Sequence, residues 1–114
     1  MAADILFAHP EEVAEVEIER ALVDFQGQLR RGQLKRDAIA ERERRPVRLV
    51  IVVPDSRSVR QRLAPYSDLI ARTLPASSRQ VWQALRAGRP IGADGLMFVR
   101  TSRSIGPPRE YIGT

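Results

Sequence analysis

The sequence contains no cysteine. That excludes a disulfide framework and thiolate-held zinc, and it fits a reducing compartment. Histidine occurs once, at His9 beside Pro10 in a turn, so an imidazole-based triad would have to use that residue, and nothing points to it. Lysine also occurs once, as Lys35, against 18 arginines. No apolar run exceeds Leu49 to Val53, far short of a membrane span. The N-terminus has no basic stretch followed by an apolar core, so no secretory signal is visible and a cytoplasmic setting is expected. The glycines at 88, 92 and 95 lack the spacing and the strand-before, helix-after context of a phosphate-binding loop. One absence is local: residues 1–19 carry no lysine or arginine at all.

Those 19 residues hold six acids (Asp4, Glu11, Glu12, Glu15, Glu17 and Glu19), a local charge of −6. The remainder holds 19 basic residues against eight acids, +11, for a net +5. An acidic cluster beside a basic body is the layout of a metal-dependent site acting on a polyanion. It is equally the layout of a solvated surface knitted by internal ion pairs. With 114 residues, 43% apolar and 29% charged, the chain reads as one globular domain over 1–101, followed by an irregular tail over 102–114 with Gly106, Pro107, Pro108 and Gly113.

Val13 to Glu19 alternates apolar and acidic residues strictly. As a strand it puts Ala14, Val16 and Ile18 on one face and Glu15, Glu17 and Glu19 on the other. The acidic face must stay in water unless a cation or a basic helix sits opposite. A helix is the competing reading. Pro10-Glu11-Glu12 is a good helix start, and Ala14, Ile18, Ala21, Leu22, Phe25 and Leu29 fall on helical spacing. One helix over 11–45 would be long for a domain of this size, which tips the balance slightly to the strand.

The rest of the chain follows in order. Asp4 to Ala8 reads as a strand pairing antiparallel with 13–19. Residues 20–44 read as a basic helix with the apolar stripe Leu22, Phe25, Leu29, Ala38 and Ile39, ended by Pro46; Gly27 and Gly32 would permit close approach of a neighbour. Val47 to Val53 is nearly continuous β-branched and aliphatic, the pattern of a central strand covered on both faces. A helix over 57–73, capped by Asp55 or Ser56, contains Pro65 and should kink or break there. A helix over 78–87 turns Val81, Trp82 and Leu85 inward and stops at Gly88. Leu96 to Thr101 is the last strand. The expected class is α/β (α+β), a mixed central sheet flanked by helices in the order β-β-α-β-α-α-β.

Carboxylate chemistry is what these residues leave open. Asp4 on one strand and Glu17 and Glu19 on its neighbour offer hard oxygen ligands suited to Mg²⁺ or Mn²⁺, which polarise a phosphoryl oxygen and acidify a bound water. Gln26 would orient that water, and Arg30, Arg31 and Lys35 would meet phosphates.

An Asp, an E-x-E on a strand and a helix with a glutamine resemble the PD-(D/E)XK restriction-endonuclease-like superfamily. The stretches V-E-I-E-R-A-L-V-D-F-Q-x-x-L-R-R-x-x-L-K-R-D (Val16 to Asp37), V-R-L-V-I-V-V-P-D-S-R-S-V-R (47–60), L-P-A-S-S-R (74–79) and A-L-R-A-G-R-P-I-G-A-D-G-L-M-F-V (84–99) together resemble a domain that follows Xre-type helix-turn-helix regions in actinobacterial proteins. The similarity covers roughly residues 4–100. It implies a restriction-endonuclease-like fold and metal-ligand roles for Asp4 and Glu17. It puts Glu19 where the superfamily has lysine, with Lys35 as a substitute reaching over from the helix. Asp4, Glu17, Glu19, Gln26 and Lys35 are therefore the candidate catalytic group, and Arg30, Arg31 and Arg36 the candidate nucleic-acid contacts. DNA is the expected partner, with a homodimer or a helix-turn-helix domain on the same or another chain as further partners, and no membrane. The implied function is metal-dependent phosphodiester hydrolysis with a degenerate site; the alternative is a non-catalytic regulatory or protein-interaction module.

Overall fold

The computed structural model describes residues 3–100, with the side chains of Ala3 and Asp4 excepted; the expected tail at 102–114 lies outside the described residues. The protein is a mixed α/β structure around one four-stranded mixed sheet. Strand β1 (Ala3–His9) pairs antiparallel with β2 (Glu12–Ile18). Helix α1 (Phe25–Ala40) then leads to β3 (Val47–Pro54), which lies parallel to β2. Helices α2 (Arg57–Leu63), α3 (Ser67–Thr73) and α4 (Ser78–Ala87) precede β4 (Gly95–Val99), parallel to β3. The strand order across the sheet is the chain order. Among the described residues no helix is long and apolar enough to cross a membrane.

The competition at residues 11–19 is settled as a strand. Seven register pairs with β1 and six with β3 hold it as an interior strand. A helix here would leave β3 without a neighbour on that side. The β1–β2 turn is fastened locally: His9 Nδ1 accepts the Glu11 N–H at 2.9 Å, and Arg45 Nη1 donates to the His9 carbonyl at 2.8 Å. His9 is thus part of the turn's hydrogen bonding.

Strand β3 is buried on both faces, as its uninterrupted apolar run requires. Leu49, Ile51 and Val53 meet Leu22, Phe25 and Leu29 from the α1 side and Val59 and Leu63 from α2. Val50 and Val52 meet Val81 of α4, with Ala76 and Met97. So α1, α2 and α3 cover one face of the sheet and α4 the other. Gly32 seats α1 on β3: a Cβ there would come within 3.0 Å of Leu49 Cδ1.

Helix boundaries follow their caps. The expected 20–44 helix begins later, because Asp24 is the N-cap, its carboxylate accepting the Gly27 N–H at 3.2 Å. Residues 20–24 form the loop that enters it. Ser56 caps α2 at the Val59 N–H. The expected 57–73 helix is broken at Pro65 into α2, a 3₁₀ turn over Ala64–Tyr66 and α3, since proline removes a backbone donor there. Helix α4 has a capping box of Ser77 and Gln80 and stops at Gly88, whose φ of 66° is left-handed. The inward orientation expected of Trp82 is wrong. Val81 and Ala84 take the buried face, and Trp82, next along the helix from Val81, is turned out with 46% of its surface exposed.

Candidate functional site

The two faces of β2 carry different chemistry. Ala14 and Val16 are buried on the α4 side. Glu15 and Glu17 point to the α1 side, where they are 0% and 3% exposed. The acidic face therefore does not stay in water. The second condition is met instead: a basic helix lies opposite. Lys35 Nζ stands 3.2 Å from Glu17 Oε1, with the Glu17 side chain only 4% exposed. The single lysine of the sequence is spent on the acidic strand.

The next acid along that face, Glu19, follows the end of β2. Its Oε1 accepts a hydrogen bond from Gln28 Nε2 at 2.8 Å. Gln28 also donates to the Ala21 carbonyl at 3.0 Å and accepts the Asp24 N–H at 3.3 Å. With 6% exposure it is a buried polar tie between the end of β2, the following loop and the first turn of α1. Glu17, Glu19, Arg20, Asp24, Gln28, Arg31 and Lys35, with Ile18, Ala21 and Val23, line a cleft of about 760 Å³. Its charged lining is balanced, three acids against three bases, so its mouth is not a general cation trap.

The sequence-predicted residues are distributed as follows. Glu17, Glu19, Lys35 and Arg31 share the cleft. Asp4 is the register partner of Glu17 in the β1–β2 ladder, while its side chain lies outside the described residues. Gln26 is exposed in the first turn of α1 and does not line the cleft. The glutamine that faces β2 is Gln28. The shift has a simple cause: starting the helix at Arg20 places Gln26 two turns in, whereas the Asp24 cap places it in the first turn. The missed signal is phase. Phe25, Gln28, Leu29 and Gly32 form the buried stripe of α1, and Lys35 follows Gln28 two turns on. Arg30 is exposed.

Arg36 is not a free phosphate contact. Its guanidinium is bound to Asp94 through Nη1 and to Asp37 through Nε at 3.0 Å. Burial disfavours its charge, but Asp94 and Asp37 more than offset that, and its pKa lies above the ordinary arginine value. Asp94 uses its other oxygen to accept the Leu49 N–H at 2.9 Å, just before β4 starts to pair at Val50. Glu12, also buried, is likewise structural. It accepts from Arg48 Nε at 3.0 Å, from the Ile91 N–H at 2.6 Å and from the Gly92 N–H at 2.9 Å.

Without Asp4, whose side chain is not among those described, Glu17 and Glu19 do not by themselves form a Mg²⁺ or Mn²⁺ site. Glu17 Oε1 is taken by an ammonium and Glu19 Oε1 by an amide N–H. Among the described residues no three acidic or histidine side chains converge on a common point. What the arrangement offers is Glu17 paired with Lys35 and Glu19 held by Gln28 in a cleft that Arg20 and Arg31 also line. No described protein family, curated protein or solved structure matches the chain.

Proposed function

We propose that this chain is a nuclease-like nucleic-acid-binding domain in which the Lys35 ammonium stands in for the cation of a metal-dependent enzyme, so that it holds a polyanion without hydrolysing it. The observation that carries the reading is the part-buried Lys35–Glu17 pair at 3.2 Å. A hairpin carrying Asp4 opposite Glu17, then a helix, then a parallel strand supports the restriction-endonuclease-like assignment. The exposed Arg30 and Arg31 on α1 are the phosphate contacts in this reading. Arg36, engaged by Asp94 and Asp37, is not counted among them in this reading. A helix-turn-helix domain on the same or another chain would supply the base readout that this domain lacks.

The test combines cleavage and binding. Supercoiled plasmid incubated with the protein over a range of Mg²⁺ and Mn²⁺ is expected to remain intact, while duplex DNA binds and loses affinity with added salt. The Arg30→Ala/Arg31→Ala variant should lower the slope of log K against log salt by about 1.8, two phosphate contacts at about 0.9 each. Metal-dependent nicking that disappears in Glu17→Ala would overturn the non-cleaving assignment and make Lys35 a migrated catalytic lysine. An unchanged salt slope in the arginine variant would remove DNA from this face of the protein.

A further inference from the structure

Helix α4 carries a second surface, on the face of the sheet opposite the cleft. Its buried side is Val81 and Ala84, with Leu85 packed beside them. Its outer side is Arg79, Trp82, Gln83 and Arg86, all exposed. These four lie at i, i+3, i+4 and i+7, so they stack along one helix face. Together they line a shallow cleft of about 590 Å³. The helix has no acidic residue, and among the described residues neither Arg79 nor Arg86 has an ion-pair partner.

Two features of this surface need a reason. Tryptophan is the largest apolar side chain, and burying it would stabilise the fold, yet Trp82 faces solvent at 46% exposure. Its neighbours one turn to either side are both arginine, at positions separated by about 10 Å along the helix axis. Some arginines elsewhere are held by acids, as Arg60 is by Asp55 and Arg45 by Glu43. Here the positive charge is left uncompensated around an exposed ring.

We infer that the Arg79–Trp82–Arg86 face of α4 is a binding site for single-stranded nucleic acid. Trp82 provides the stacking platform for one base, and the two guanidiniums take the phosphates on either side of it. An unpaired base has an accessible face for the ring, whereas a duplex hides its bases in the stack. A phosphate backbone supplies the negative charge that the helix lacks. Gln83 offers an amide to the edge of the base. The capping box and the left-handed Gly88 fix both ends of the helix, so the platform is preformed. This inference stands apart from the cleft: the two surfaces lie on opposite faces of the sheet.

The chain holds one tryptophan, so its emission reports on this site alone. Titration of the full chain with an oligothymidine of roughly 12 nucleotides, within known single-strand site sizes, should quench that emission saturably. Trp82→Ala should weaken binding, followed by anisotropy of a labelled oligonucleotide, about tenfold, the order of one lost base stack. Trp82→Phe should retain most of the affinity. Arg79→Ala/Arg86→Ala should flatten the salt slope by about 1.4, two contacts at about 0.7 each. Binding that leaves the emission unchanged, or an affinity indifferent to Trp82→Ala, overturns the proposal. So does equal quenching of the Trp82 emission by a duplex of the same length, which offers no free base face to stack on the ring. Tighter binding of polyglutamate than of oligothymidine would replace nucleic acid by an acidic protein partner. Because the readout is local to Trp82, failure of the Arg30 and Arg31 contacts leaves this test intact.

Discussion

Lys35→Met is the substitution that weighs most on the reading of the cleft. At 3.2 Å, two unit charges in an effective dielectric of about 20 attract by about 5 kcal/mol before solvation is counted. Much of that attraction offsets the cost of holding Glu17 out of water at 3% exposure. Methionine keeps the length and the apolar stem of the side chain but removes the ammonium. It takes the ammonium away from the buried Glu17 carboxylate, two residues from the fully buried Glu15. Deleting one partner of a buried pair costs about 3–5 kcal/mol. The Lys35 side chain is 29% exposed, which lets solvent screen part of the loss, so about 3 kcal/mol is expected. That is a large fraction of the roughly 5–15 kcal/mol that holds a domain of this kind together. The double variant Glu17→Gln/Lys35→Met carries neither charge and should lose only about 1 kcal/mol, since no buried charge is separated from its counter-charge. Urea denaturation followed by far-ultraviolet circular dichroism, with midpoints and slopes for all four members of the cycle, measures both quantities. A loss under about 1 kcal/mol in Lys35→Met would refute the reasoning. So would a double variant no more stable than the single one.

Two further outcomes test the structural assignments. Glu12→Ala removes the acceptor of three hydrogen bonds and strands the Ile91 and Gly92 N–H groups; a loss of about 2–4 kcal/mol in the same denaturation assay is expected, and a loss below about 0.5 kcal/mol would show that residues 91–92 do not depend on it. Gln28→Ala should cost about 1–3 kcal/mol while Gln26→Ala stays within about 0.5 kcal/mol; equal effects would show that Gln28 does not tie the end of β2 to the start of α1.

The sequence by itself determined the elements whose signals are local. The apolar run at 47–53 required cover on both faces, and β3 has it. Pro65 broke its helix where the missing N–H says it must, and Gly88 ended the next one in the left-handed region open to it. The period of two in residues 13–19 put Glu15 and Glu17 on one face of a strand, with Glu19 just past its end. Local pattern left that stretch nearly balanced between strand and helix. The decision came from pairing, because β2 has a strand on each side, and pairing is a relation between distant segments.

Tertiary structure alone decided what the acidic face meets. Periodicity shows that Glu15 and Glu17 share a side, but only the crossover of α1 over the sheet shows that this side is buried and that Lys35 reaches it. The phase of α1 was equally out of reach while its start was uncertain. One loop residue acting as N-cap moved the helix origin from Arg20 to Phe25 and exchanged Gln26 for Gln28. Arg36 reads as one arginine among many until the fold brings Asp94, 58 residues away in the chain, against it. Trp82 shows the same limit from the other side. Hydrophobicity says that a tryptophan next to a valine belongs inside, but one helical step turns it through about 100°, and only the position of the sheet says which of the two faces in.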